Sequence, residues 1–155
     1  MIQRIQSIYL SLTTLLPLLF LKGSLLNFAD KSGSVIKVTF NGVVRYTEGQ
    51  GSIMTERLLP LSVIIILISA LSLITIFLYK NRKLQLLFAL LINILVAGLI
   101  ILLGYYSWMV ISSSGVSIVP GIKTFLPIVI LGFALLAYRG ILKDDRLIKS
   151  YDRLR

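Results

Sequence analysis

The chain has 155 residues, is 57% hydrophobic, carries a net charge of +10 and has a mean hydropathy of +0.93. A soluble domain is far less apolar, so the composition is that of a membrane protein. Neither cysteine nor histidine is present, which excludes disulfides, thiolate nucleophiles and the usual zinc and haem ligands.

The first apolar segment is Ile5–Leu21. It has a basic residue ahead of it, as a signal peptide does, but no small-x-small cleavage site follows Leu21. The expectation is a retained helix over about 5–26, with Lys22 snorkelling to the interface, Leu25, Leu26 and Phe28 completing it, and Pro17 free to kink it.

The loop at 27–57 holds a hairpin signal over 35–47. Val35–Phe40 and Val43–Thr47 are rich in β-branched and aromatic residues, and Asn41-Gly42 between them suits a two-residue type I′ turn. That turn pairs Phe40 with Val43, Val38 with Arg45 and Ile36 with Thr47, so Ile36, Val38, Phe40 and Val43 share one face. An isolated hairpin is marginal in water. This one is expected to rest on the helix ends as a lid, joined by Val116–Val119 from the second loop; a recognition surface is the other reading.

Leu58–Tyr79 and Leu84–Val110 contain no charge. Thr124–Tyr138, extended back through Val119, gives the last span, about 119–139. Crossing ~30 Å of hydrocarbon takes about 20 apolar residues. Continuous rather than alternating runs of this length are helices, because a helix satisfies its own backbone in lipid. With spans at about 5–26, 58–79, 84–110 and 119–139, the fold class is an all-α membrane protein: one domain of four transmembrane helices, a small β-hairpin between the first two, and a short amphipathic helix in a tail at 140–155.

Charge orients these spans. If both termini are cytoplasmic, the inner side holds ten basic residues (Arg4, Lys80, Arg82, Lys83, Arg139, Lys143, Arg146, Lys149, Arg153 and Arg155) and the outer side six, diluted by Asp30, Glu48 and Glu56. Tyr79 and Tyr138 then fall at the inner interface, and Tyr105, Tyr106 and Trp108 at the outer one.

No ionisable residue lies in the middle of any span, whereas ion-coupled transport normally needs one there. Asn93 is the strongly polar group near mid-span and is expected to hydrogen-bond a neighbouring helix; Ala89 and Ala97 share its face. Ser62, Ser69 and Ser72, with Thr75, form a small, weakly polar stripe, and Gly132 with Ala134 does similar work in the last span. Such positions serve as helix seams, within the bundle or against another protein.

The segment Arg139–Arg155 carries six basic and three acidic residues. From Asp144 onward Leu147, Ile148, Tyr151 and Leu154 fall on one helical face, with Asp144 or Asp145 as cap and Asp145–Lys149 as an i,i+4 pair. The expected partner-binding set is Arg146, Leu147, Ile148, Lys149, Tyr151, Arg153, Leu154 and Arg155. Two occupants stand level: anionic membrane lipid, or another inner-membrane or cytoplasmic protein. RNA or ribosome contact ranks behind them, because aspartates interrupt the basic run. The same interleaving makes Asp144, Asp145 and Asp152 a solvated helix rather than a metal site. No phosphate-binding loop, metalloprotease motif or nucleophile elbow is present, so no cofactor and no enzymatic activity are expected.

The opening Met1–Leu10, the four spans and the closing Asp145–Arg155 resemble a small inner-membrane family of Bacteroidetes catalogued as a domain of unknown function. The resemblance runs over the full chain and implies a bacterial inner-membrane protein, with no activity or site residue to carry over. The order of helix, strand-bearing loop and three helices is also similar to claudin-like proteins, but their Trp/Cys pattern in the loop is missing, so that likeness is one of layout. The function expected from all this is a non-catalytic accessory or scaffold subunit of a larger inner-membrane complex. The alternative is a carrier or channel for a neutral or lipidic small molecule, which requires a continuous cavity lined by Asn93 and the Ser62–Thr75 stripe.

Overall fold

A computed structural model describes residues 2–29, 35–47, 51–114 and 116–152. Four helices form a bundle: α1 (Ile2–Leu18), α2 (Leu59–Phe77), α3 (Arg82–Ser114) and α4 (Ile122–Asp152). Each packs on two others, α1 and α3 both lying between α2 and α4, so the helices stand in a ring in chain order. Among the described residues α2, α3 and α4 are long and apolar enough to cross a membrane, and Ile5–Leu21 forms a shorter apolar helix. The protein is therefore a membrane protein. Its buried stripes follow the helical period: Leu61, Ile65, Ile68, Ser72 and Thr75 on α2, and Ile130, Ala134, Ala137 and Ile141 on α4. The opposite faces expose leucine, isoleucine and valine, as a lipid-facing surface does.

The all-α expectation is overturned by a five-stranded antiparallel sheet at one end of the bundle. Its strands are β1 (Ser24–Ala29), β2 (Val35–Thr39), β3 (Gly42–Thr47), β4 (Gly51–Arg57) and β5 (Ser117–Val119), in the order β4-β3-β2-β1-β5. The first helix ends at Leu18, continues as a 3-10 turn over Leu19–Leu21 and gives way at Gly23, whose φ of +84° reverses the chain into β1. Leu25, Leu26 and Phe28 therefore belong to a strand rather than to the end of a helix. A register irregularity between Ser24 and Leu26 lets two consecutive leucines both be buried, which regular alternation forbids. Such a short apolar run gives no periodicity by which to tell strand from helix.

The hairpin is present in a different register. Val38 pairs with Val43 and Ile36 with Arg45, leaving Thr39–Gly42 as a four-residue connection. Among the described residues no non-glycine has positive φ, so Asn41 does not take the conformation a type I′ turn needs. The Thr39 hydroxyl closes the connection by donating to the Gly42 carbonyl at 2.8 Å. The shift amounts to two residues and preserves the alternation, so Ile36, Val38 and Val43 are still buried together. They form one core with Leu25, Leu26, Phe28, Leu58, Leu61, Val110 and Val116. β5 pairs with β1, so the second loop does join the lid.

Helix lengths settle where each end projects. α3 has 33 residues, about 50 Å at 1.5 Å per residue, and its last turns reach the level of the sheet, where Val110 is buried. α4 has 31 residues, about 46 Å, and projects at the opposite end. The tail is thus no separate short helix. It continues α4 without a break, and Asp144, expected to cap a new helix, lies inside a continuous one.

Candidate functional site

The tail residues named from the sequence occupy this projection. Arg146 and Leu147 are exposed. Ile148, Lys149 and Tyr151 lie on the final turns of α4, with their side chains outside the described residues, as are Arg153, Leu154 and Arg155 altogether.

The expected seam residues separate into three roles. The Ser62 hydroxyl donates to the Phe40 carbonyl and so ties the hairpin connection to α2. Ser69 turns back on its own helix, donating to the Ile65 carbonyl at 3.2 Å; Ser72 is fully buried, and its Oγ has no partner among the described residues. Asn93 bridges helices as expected, its amide nitrogen donating to the Ala89 carbonyl at 2.8 Å and to the Ala134 carbonyl of α4 at 3.2 Å. Both neighbours are acceptors, which fixes the amide orientation and leaves Oδ1 buried without a donor. Gly132 lies on the exposed face, where an added Cβ would meet nothing within 4 Å, so within this chain Ala134, 2% exposed, provides the close approach instead.

At the end of the bundle away from the sheet lies a polar cluster that the sequence reading missed. Asp144 is 7% exposed. Its Oδ2 accepts from Gln6 Nε2 at 2.8 Å and from Arg82 Nη1 at 3.2 Å. Gln6, 4% exposed, brings α1 into the junction, and Arg82 brings the start of α3. Gln85 Nε2 reaches the Thr75 carbonyl at 3.4 Å, adding the end of α2. Gly140, one turn before Asp144, makes room for this, since a Cβ there would stand 2.9 Å from Gln6 Cγ. All four helices meet at this lock. A buried carboxylate is stable only when paired and hydrogen-bonded, and Asp144 is both. The signal was legible in one respect: Ile130, Ala134, Ala137, Ile141 and Asp144 continue a single helical stripe. Reading a cap at Asp144 cut that stripe short.

At the sheet end, Lys123 performs a comparable task. Its ammonium donates to the Leu19 carbonyl at 3.2 Å and to the Lys22 carbonyl, satisfying acceptors left over where α1 ends. Thr124 Oγ1 donates to the Leu25 carbonyl at 3.2 Å, anchoring β1 to the start of α4.

The contacts of Asp144, Lys123 and Thr124 each join one element of the chain to another. Among the described residues no three acidic side chains stand close enough to hold a metal ion. A groove of about 450 Å³ opens beside Asn93, and it is lined by residues of α3 and α4; the serine stripe of α2 does not contribute to it.

No curated protein and no solved structure matches the chain. Residues 2–154 match the family described as a domain of unknown function (DUF4293), and the chain belongs to that family.

Proposed function

We propose that the protein is a non-catalytic accessory or scaffold subunit of a bacterial inner-membrane assembly, with both termini in the cytoplasm and its sheet on the outer side. The observation that carries this reading is the unbroken α4. Ile122 to Arg139 gives about 27 Å of helix, close to the hydrocarbon thickness, and more than ten further residues continue the same helix beyond it. A helix held in line by the Asp144 lock stands away from the membrane instead of lying on it, which favours docking to a protein over adsorption to lipid. The remaining polar contacts support the same reading, because Ser62, Asn93, Lys123 and Asp144 are spent on joining elements of the chain. The carrier alternative asks for Asn93 and the α2 serines on one cavity, and the groove at Asn93 has walls from α3 and α4.

The test is purification in mild detergent followed by mass spectrometry of co-purifying proteins. Leu147→Asp with Ile148→Asp, or truncation after Leu147, should remove a stoichiometric protein partner while the spans still insert. Truncation must spare Asp144, because its loss would also undo the lock. A chain shortened at Leu147 that retains its partners in full would refute the docking role, and stoichiometric RNA in their place would redirect it.

A further inference from the structure

The outer surface of α3 and α4 carries two adjoining features that the bundle does not use, the second of which shares Arg146 and Leu147 with the proposed docking set. One is the apolar groove of about 450 Å³ between Leu90 and Ile94 of α3 and Leu131, Leu135 and Tyr138 of α4, with Asn93 at its back. The other is a hollow of about 460 Å³ on the next turns of α4, formed by Arg139, Leu142, Lys143, Arg146 and Leu147. Leu131, Leu135, Tyr138, Leu142 and Arg146 recur at intervals of three and four, so the groove runs into the hollow along one helical stripe. Arg139, Lys143 and Arg146 are all exposed. Asp144 does not neutralise them, because it faces inward to Gln6 and Arg82. Counting Asp145 against the three cations still leaves the patch at +2.

Depth matches this layout. Leu131 to Tyr138 covers about 10 Å along the helix, within the ~15 Å of one leaflet's hydrocarbon. The basic side chains follow directly, at headgroup level. We infer that this face binds an anionic phospholipid, one acyl chain lying in the α3–α4 groove and the phosphate held by Arg139, Lys143 and Arg146. Charge decides between this and a second copy of the chain. A two-fold axis along the membrane normal would set two such basic patches against each other at one level, whereas an anionic headgroup complements the patch. The site requires only that these helices span a bilayer and does not rest on the accessory-subunit reading.

Native mass spectrometry of the full chain tests it, after exchange into vesicles containing phosphatidylglycerol and phosphatidylcholine of identical acyl chains. Phosphatidylglycerol should remain bound at least ten-fold more than phosphatidylcholine. Arg139→Gln with Arg146→Gln should lower its retention about thirty-fold, as expected for two basic side chains near an anionic surface, and should lower that of phosphatidylcholine, whose phosphate is balanced by its own choline, far less. Leu135→Trp should fill the groove and reduce retention of both lipids. Circular dichroism establishes that each variant is folded. Equal retention of the two lipids, a preference unchanged in the folded double variant, or a lipid-free dimer abolished by Leu135→Trp would each overturn the assignment.

Discussion

Replacing Asp144 with alanine should destabilise the bundle more than any other single change at a charged residue. The carboxylate accepts two donors, Gln6 at 2.8 Å and Arg82 at 3.2 Å. Its loss leaves Gln6 Nε2 buried without a partner, at about 1–3 kcal/mol. It also strands the Arg82 guanidinium. Breaking a buried ion pair from one side costs about 3–5 kcal/mol, but the Arg82 side chain is 19% exposed and turns partly to water, which discounts that figure. A total of about 3 kcal/mol follows, and for a chain of this size that is roughly 6–12 °C in the unfolding midpoint. Asp144→Asn keeps an acceptor for Gln6 and gives up the charge, so it should cost about half as much. Gln6→Ala combined with Asp144→Ala should cost less than the sum of the single changes, because the two share one bond. The assay is size-exclusion of the detergent-solubilised protein after a graded heat step. An Asp144→Ala midpoint within about 2 °C of the parent would show that the lock does not hold the helices, and equal losses for alanine and asparagine would refute the role given to Gln6.

Two further outcomes follow from the same geometry. Ser62→Ala removes the hydroxyl that binds the Phe40 carbonyl and should cost about 1 kcal/mol; it should raise protease cleavage in the hairpin without impairing membrane insertion, and unchanged cleavage would mean that the apolar face alone holds the lid. A reporter active only in the cytoplasm should work when fused at Arg155 and fail when inserted at Ser34, and activity at Ser34 would invert the proposed topology.

Apolar length by itself decided that these residues form helices in a membrane. A run such as Leu84–Val110 has no other way to satisfy its backbone in lipid, whatever surrounds it. The alternation of Ile36, Val38 and Val43 likewise decided which hairpin face is buried, and a two-residue shift of register left that face unchanged. The end of α1 was another matter. Leu25 and Leu26 became strand because β2 pairs along Ser24–Ala29 and β5, from a distant part of the chain, pairs with the Asn27–Ala29 end of the same strand. The lock shows the same limit, since Gln6 and Asp144 are 138 positions apart. Alone, Asp144 reads as a cap on a solvated tail. Only when α1 and α3 close on α4 does it acquire two donors, and with them a reason to be buried. Local sequence carries helix length and facial alternation because both are properties of one segment. Strand pairing and buried polar networks depend on which remote segments meet, and that was decided by tertiary packing.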